Sequence, residues 1–248
     1  MTPDVVVDVG NSRMKWGWCQ GGNIVCVEAF ADDVATWERA VGNRENLAWA
    51  VASVNPQLCE RFLAWANHRG DRMTFIQNYA QLPIRIEVEA PESVGIDRLL
   101  GAVAANGRRR ANTPALTVDV GTAVTINSID HAGNFRGGAI LPGYRLMGLA
   151  LHEHTAKLPA IAVEDIEIAK LARFPGQNTH AAIACGIRAA VAGAVEHIVN
   201  RLGDLESCDY FATGGDAPLL LRDIARIPLV YVPTLVLEGI RISAEALP

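Results

Sequence analysis

The sequence predicts an α/β protein of two similar lobes with mixed sheets, and three observations predict it. A short apolar strand ending in Asp-Val-Gly occurs twice, at Asp8 and at Asp119. Each copy is followed by a second strand, a Gly/Asn turn and the start of a third strand. Around these copies, strand-like runs alternate with stretches of helical spacing, as α/β units require. The copies lie about 110 residues apart, so the duplication divides the chain into lobes at 1–112 and 113–248, with no flexible linker between them.

In the first lobe, Val5 to Gly10 reads as a buried strand ending in a loop. Lys15 to Trp18 reads as its neighbour, Gly21-Gly22-Asn23 as a turn and Ile24 to Val27 as a third strand. Asp33 to Val41 predicts a short helix. Trp49 to Val54 predicts a strand, stopped by Asn55-Pro56. Leu58, Phe62, Leu63 and Ala66 give Gln57 to Arg69 a helical face. Met73 to Ile76 and Ile84 to Val88 read as strands. Gly95 opens a helix to about Arg110, with Leu99, Leu100, Val103 and Ala104 on one face. In the second lobe, Leu116 to Gly121 and Val124 to Asn127 repeat the opening. Ala132-Gly133-Asn134 turns the chain and Phe135 begins the return. Helical spacing runs over 144–154, 181–202 and 217–224, and strands are predicted at 210–213 and 229–232.

Composition narrows the class. The chain has 248 residues, half of them hydrophobic, and a net charge of -5. That is enough apolar material for a sizeable core, and it leaves no bulk electrostatic attraction for nucleic acid. The basic run Arg108-Arg109-Arg110 ends a predicted helix, where the dipole favours positive charge. No apolar stretch approaches the roughly 20 residues of a membrane span, and no secretory leader is visible. Cysteines 19, 26, 59, 185 and 208 are odd in number and form no C-x-x-C pair. A disulfide framework or zinc site is not expected, and a cytoplasmic location fits. The motifs of serine hydrolases, zincins and P-loop kinases are missing.

Five segments carry candidate chemistry. In Asp8-Val9-Gly10-Asn11-Ser12 a strand delivers a carboxylate to a glycine turn beside two polar side chains. Such a loop suits phosphate oxygens, with the carboxylate holding a cation or a water and Lys15 in reach. It is equally a fair hairpin turn. Asp119-Val120-Gly121-Thr122 has the same logic with Thr in place of Asn. Gly214-Gly215 is a third glycine loop, or a plain strand-to-helix turn. Gly137 to Gly143 is glycine-rich and then opens a helix, and it reads equally as an anion site or a tight backbone crossing. Gly95-Ile96-Asp97-Arg98 puts a carboxylate and a guanidinium at a helix start. Asp97 is a helix cap or a proton acceptor for a substrate hydroxyl. Arg98 is a surface residue or a bidentate holder of substrate oxygens. His152 and His154 do not share a helix face, and Trp16, Trp18, Trp37, Trp49 and Trp65 read as packing residues.

Two Asp-x-Gly loops on duplicated lobes resemble the acetate kinase, sugar kinase, heat-shock and actin group, in which both loops grip nucleotide phosphates across an interlobe cleft. The ordered set of segments resembles, more closely, the type III pantothenate kinases, which include the Bvg accessory factors. That set adds Thr155 to Pro159, Asn178-Thr179, Thr213 to Asp216 and Leu235 to Ile240 to the segments above.

The resemblance implies phosphorylation of pantothenate by ATP with Mg2+. It implies an ATP loop of Asp8, Val9, Gly10, Asn11, Ser12, Arg13, Met14 and Lys15, with Thr122 also at the nucleotide. Asp97 would be the general base, and Gly95, Ile96, Asp97 and Arg98 would frame pantothenate. Thr179 would join them from across a homodimer interface. Asp119 would hold a monovalent cation, K+ or NH4+. The chain departs from the family in carrying Ile96 where Ala is frequent, and Glu87-Val88-Glu89 where an aromatic residue is frequent. Competing readings are an actin-like kinase for another small hydroxylated substrate and a non-catalytic regulator that kept the fold.

Overall fold

In the computed structural model, which describes residues 2–11, 13–168, 175–202 and 207–247, the chain opens as a three-strand antiparallel meander. Its strands are β1 (Val5–Val9), β2 (Met14–Gln20) and β3 (Asn23–Phe30). Helix α1 (Val34–Val41) follows, started by the Asp33 side chain accepting from Ala35 N–H. Then come β4 (Ala48–Ser53), α2 (Pro56–His68) and β5 (Arg72–Ile76). Strands β4 and β5 add in parallel, giving the order β3-β2-β1-β4-β5.

Helix α3 (Ile96–Arg108) leads to the second meander, β6 (Ala115–Val120), β7 (Ala123–Ile129) and β8 (Phe135–Pro142). Helices α4 (Tyr144–Glu153), α5 (Val163–Ile168) and α6 (Thr179–Leu202) precede β9 (Asp209–Thr213). After α7 (Ala217–Asp223), β10 (Val230–Tyr231) and α8 (Leu235–Ala246) close the chain. The second sheet has the order β10-β9-β6-β7-β8, with β9 parallel to both β6 and β10. Written from the opposite edge, it is the first sheet again. The predicted duplication is therefore a duplication of topology, and the fold is α/β with two mixed sheets.

The chain divides into two compact units. One holds residues up to Arg108, Gly133–Arg136 and the stretch from Thr234 onward. The other holds Arg109–Ala132 and Gly137–Pro233. The 112/113 division thus lies close to the first change of unit and does not foresee the return of α8 to the first.

The two cores are chemically unlike. The first is aromatic: Trp16, Trp37, Trp49 and Trp65 are buried with Phe30 and Phe62 in one cluster. Trp16 alone meets five other rings at centroid distances from 4.4 to 6.4 Å. Tryptophans dispersed along the sequence converge because β1, β2, β4 and α2 pack together. The second core is aliphatic, built from Val118, Val120, Val124 and Ile126 against Ile187, Val191, Val195 and Val199 of α6.

Several expectations need correction. Ile84 to Val88 forms no strand. Ile86 makes one isolated parallel bridge to Phe135. Gly137 to Pro142 is strand, and of the two readings of this segment the backbone crossing is the one seen. Gly138 is there because an added Cβ would stand 1.8 Å from Ile126 O, so this glycine serves a tight backbone crossing. The basic run does end a helix, with Arg108 in the last turn of α3, and its side chains are also paired. Arg108 pairs with Glu238 at 2.6 Å, Arg109 donates to Thr113 O and His131 O, and Arg110 pairs with Asp209 at 2.9 Å. Helix α6 is long and apolar enough to cross a membrane by length and composition, contrary to the expectation of no such stretch. Half of that apolar stretch is buried in the protein, and Arg188 within it is paired with Asp223.

Candidate functional site

The first loop joins β1 to β2. The antiparallel register sets Asp8 opposite Lys15 and Val9 opposite Met14, and Gly10 N–H donates to Arg13 O at 3.1 Å. Strand alternation divides the residues by face. Val7, Val9, Met14 and Trp16 enter the aromatic core, so Asp8 and Lys15 share the opposite face, both half-buried. Asn11 and Arg13 are exposed at the tip. Ser12 lies outside the described residues.

The Gly95 segment sits at the entry to α3. Asp97 is the second residue of the helix, not its cap. Its Oδ1 accepts the Arg98 N–H at 2.8 Å, while Gly95 O accepts from Arg98 N and Leu99 N. The carboxylate therefore folds back over residue 95. A Cβ there would stand 2.6 Å from Asp97 Oδ1, so Gly95 is what permits the fold-back. Ile96, Asp97 and Arg98 are half-buried, and Leu99 and Leu100 anchor the helix beneath them. Burial pushes the Arg98 guanidinium below its usual pKa, and the charge of Asp97 partly offsets this. Its guanidinium carbon lies 5.8 Å from the Phe135 ring centroid.

The second loop joins β6 to β7, with Asp119 opposite Thr125 and Val120 opposite Val124. Gly121 N–H donates to Ala123 O at 3.0 Å, and Thr122 is exposed. Two neighbouring segments hold this loop. Gly143 N–H donates to Thr122 O at 3.0 Å, and Asp216 N–H donates to Val120 O at 3.0 Å. At Gly143 an added Cβ would lie 2.1 Å from Gly121 O. At Gly214, whose φ is +96°, it would lie 2.2 Å from Val120 O and 2.5 Å from Asp119 Oδ1. Gly143 and Gly214 are thus shaped by the Asp119 loop they touch. Behind Gly143, Tyr144 is fully buried, and burial raises its hydroxyl pKa far above the usual range.

Thr179 is the first residue of α6 and is exposed. The preceding Asn178 caps the helix, its Oδ1 accepting from Ala181 N at 2.9 Å. Among the described residues, no three His, Cys, Asp or Glu side chains gather into a metal site. His154 ends α4, and His152 Nδ1 lies 2.9 Å from Leu158 O.

The first unit therefore brings Asp8 and Lys15 together on one strand face, and gathers Gly95, Ile96, Asp97 and Arg98 on one helix turn. The second unit brings Asp119 and Thr122 together and carries Thr179 at the start of α6. Phe135 and the Glu87–Arg136 ion pair were not legible as site residues. Their roles depend on what β8 and the segment around Glu87 approach in space, which spacing along the chain does not encode.

Residues 5–201 match the family model for type III pantothenate kinase. A type III pantothenate kinase of Cupriavidus pinatubonensis is 31% identical over 98% of this chain and 99% of its own length. One of Gloeobacter violaceus is 33% identical over 97% of this chain and 98% of its own. Among solved structures, a Campylobacter jejuni protein described as a Baf family transcriptional activator aligns with TM-score 0.59 at 18% identity, over 97% of each chain. The activator of 2-hydroxyisocaproyl-CoA dehydratase from Clostridium difficile, with bound ADPNP, aligns with TM-score 0.55 at 14% identity, over 99% of this chain and 96% of its own. At such identities the structures speak for the actin-like fold alone.

Proposed function

The chain belongs to the type III pantothenate kinase family, and we propose that its two Asp-x-Gly loops hold ATP while Gly95 to Arg98 holds pantothenate. The enzyme phosphorylates pantothenate with ATP, the first step of coenzyme A biosynthesis.

In this reading Asp8, Val9, Gly10, Asn11, Ser12, Arg13, Met14 and Lys15 form the ATP loop. Gly10 lets backbone approach the phosphates, and Lys15 supplies a point charge. Thr122 meets the nucleotide from the second loop. The nucleotide brings magnesium, which neutralises charge on the phosphates. The donor set at Asp119 fits a monovalent cation. Its carboxylate stands beside the carbonyl-rich turn that Gly143 and Gly214 crowd. K+ or NH4+ held by Asp119 would add positive charge near the phosphates.

The observation that carries the catalytic assignment is the carboxylate of Asp97 folded over Gly95, with Oδ1 committed to Arg98 N–H. That leaves Oδ2 for the primary hydroxyl of pantothenate. As the hydroxyl oxygen bonds to the γ-phosphorus, the β–γ bridging bond breaks, ADP leaves with the electron pair and Asp97 takes the proton. An ordinary carboxylate is a weak base, yet it suffices where the proton is lost late in a loose transition state. Arg98 holds substrate oxygens through its planar fork.

We also propose a cytoplasmic homodimer in which Thr179 reaches the pantothenate of the partner. Ala182, Gly186, Ala189 and Gly193 line an exposed stripe of α6. A Cβ added at Gly186 or Gly193 would meet nothing within 4 Å, so the protein's own packing does not require glycine there. Close approach of a second copy supplies a reason.

The test is ADP release dependent on pantothenate, with and without potassium. Turnover is expected to rise with potassium in the wild type and to become indifferent to it in Asp119→Asn. Asp97→Asn is expected to bind both substrates and to lose about 10²–10⁴ in kcat. Near-normal turnover of that variant would remove Asp97 from the base role.

A further inference from the structure

We propose that Phe135 is a positioning residue for pantothenate: its ring holds the Arg98 guanidinium in the orientation from which that side chain meets substrate oxygens. The inference rests on the substrate role assigned to Arg98 above.

Residues Gly133–Arg136 cluster with the first unit, although the chain on either side of them belongs to the second. The ties are specific. Phe135 N–H donates to Arg85 O at 2.8 Å, and Glu87 N–H donates to Phe135 O at 2.9 Å, the two bonds that flank the Ile86–Phe135 bridge. The Glu87 carboxylate pairs with Arg85 at 2.9 Å and also with Arg136. Gly133, at φ +87°, makes the turn that delivers the segment. So much backbone bonding fixes the place of one residue, and that residue is an aromatic ring with no solvent exposure.

Arg98 lies over this ring with its guanidinium carbon 5.8 Å from the centroid. The guanidinium is half-buried and has lost water, and an aromatic face restores part of that loss through its quadrupole. The contact is also directional. Packing against a ring restricts rotation of the planar fork, so its donors point one way before substrate arrives. An aliphatic residue of similar volume fills the space without that attraction.

Steady-state kinetics of Phe135→Leu, Phe135→Met and Phe135→Tyr, alone and with Arg98→Met, test this. The Leu and Met variants are expected to raise KM for pantothenate about 5-fold while leaving KM for ATP unchanged. Phe135→Tyr keeps a ring and is expected to keep the wild-type KM. In the Arg98→Met background, loss of the ring is expected to add nothing further. Equal rises in both KM values, or none, in the Leu and Met variants would overturn the proposal. If Leu fails to fold, the Met and Tyr variants decide by the same split. The two layers separate cleanly. Arg98→Met with an unchanged KM for pantothenate removes the substrate role of Arg98. Arg98→Met with a raised KM beside silent Phe135 variants removes only the role of the ring.

Discussion

The β1–β2 and β6–β7 hairpins carry the same Asp-Val-Gly phrase, but the first pairs Val9 with Met14 and the second pairs Val120 with Val124, one residue tighter, and they are held differently. The second hairpin is gripped from outside. Gly143 and Gly214 press against its backbone so closely that a methyl group at either would collide with a carbonyl oxygen. The first hairpin shows no such grip among the described residues. A Cβ on Gly10 would meet only Arg13 O of its own turn, at 3.1 Å. In the first unit the close approach lies elsewhere, where α8 crosses α3: a Cβ on Gly239 would stand 2.0 Å from Leu100 O. One unit thus crowds its Asp-Val-Gly loop, and the other crowds the helix that carries Asp97 and Arg98. Both strand ends accept an outside backbone bond, Val54 N–H to Val9 O and Asp216 N–H to Val120 O, each at 3.0 Å, so the unequal use of the duplicated grammar lies in where the crowded glycines stand.

Substitutions can break this contrast. The largest effect is expected for Gly214→Ala, which combines a positive φ with a clash, at a cost of about 3 kcal/mol in denaturant unfolding. Gly143→Ala and Gly239→Ala, which add clash alone, should each cost about 2 kcal/mol. Their kinetics should diverge, Gly143→Ala raising KM for ATP and Gly239→Ala raising KM for pantothenate. Gly10→Ala should cost under about 1 kcal/mol, since only a contact within its own turn tightens. A cost for Gly10→Ala equal to that of Gly143→Ala would erase the asymmetry.

The smallest effect concerns the α3–α8 seam. Burial alone would raise the Glu238 carboxyl, but hydrogen bonds from Arg108 and Thr234 outweigh it and hold the group below its ordinary 4.5. A carboxyl lowered on folding adds stability above its unfolded value and loses it as pH falls through the folded one. Glu238→Gln should therefore cost under about 1 kcal/mol at pH 7, Arg108 being partly exposed. The difference from wild type should shrink as pH falls below 4.5 in acid titrations of stability.

Much of the fold was legible because it is written locally. Apolar runs ending in Asp-Val-Gly mark β1 and β6, the Asn55-Pro56 pair marks the end of β4 and the start of α2, and helical spacing marks α3. The stretches left open or misread share a cause. Gly137 to Pro142 left an anion site and a backbone crossing open, and Gly138 against β7 makes it the crossing within β8. Ile84 to Val88 has the composition of a strand but finds only the Phe135 bridge. Membership of a sheet depends on a partner, and the partner is remote in sequence.

The sequence by itself determined the two-lobe duplication, the aspartates that end β1 and β6, and the Gly-Ile-Asp-Arg segment between them. Each is a short-range matter of residue type, period and turn chemistry. Tertiary structure alone decided which loop neighbouring glycines crowd, that five dispersed tryptophans meet around one core, and that α8 packs on α3. It also decided that Phe135 lies under Arg98. These depend on distances between backbone segments far apart in the chain, where one missing Cβ makes an approach possible that no local pattern announces.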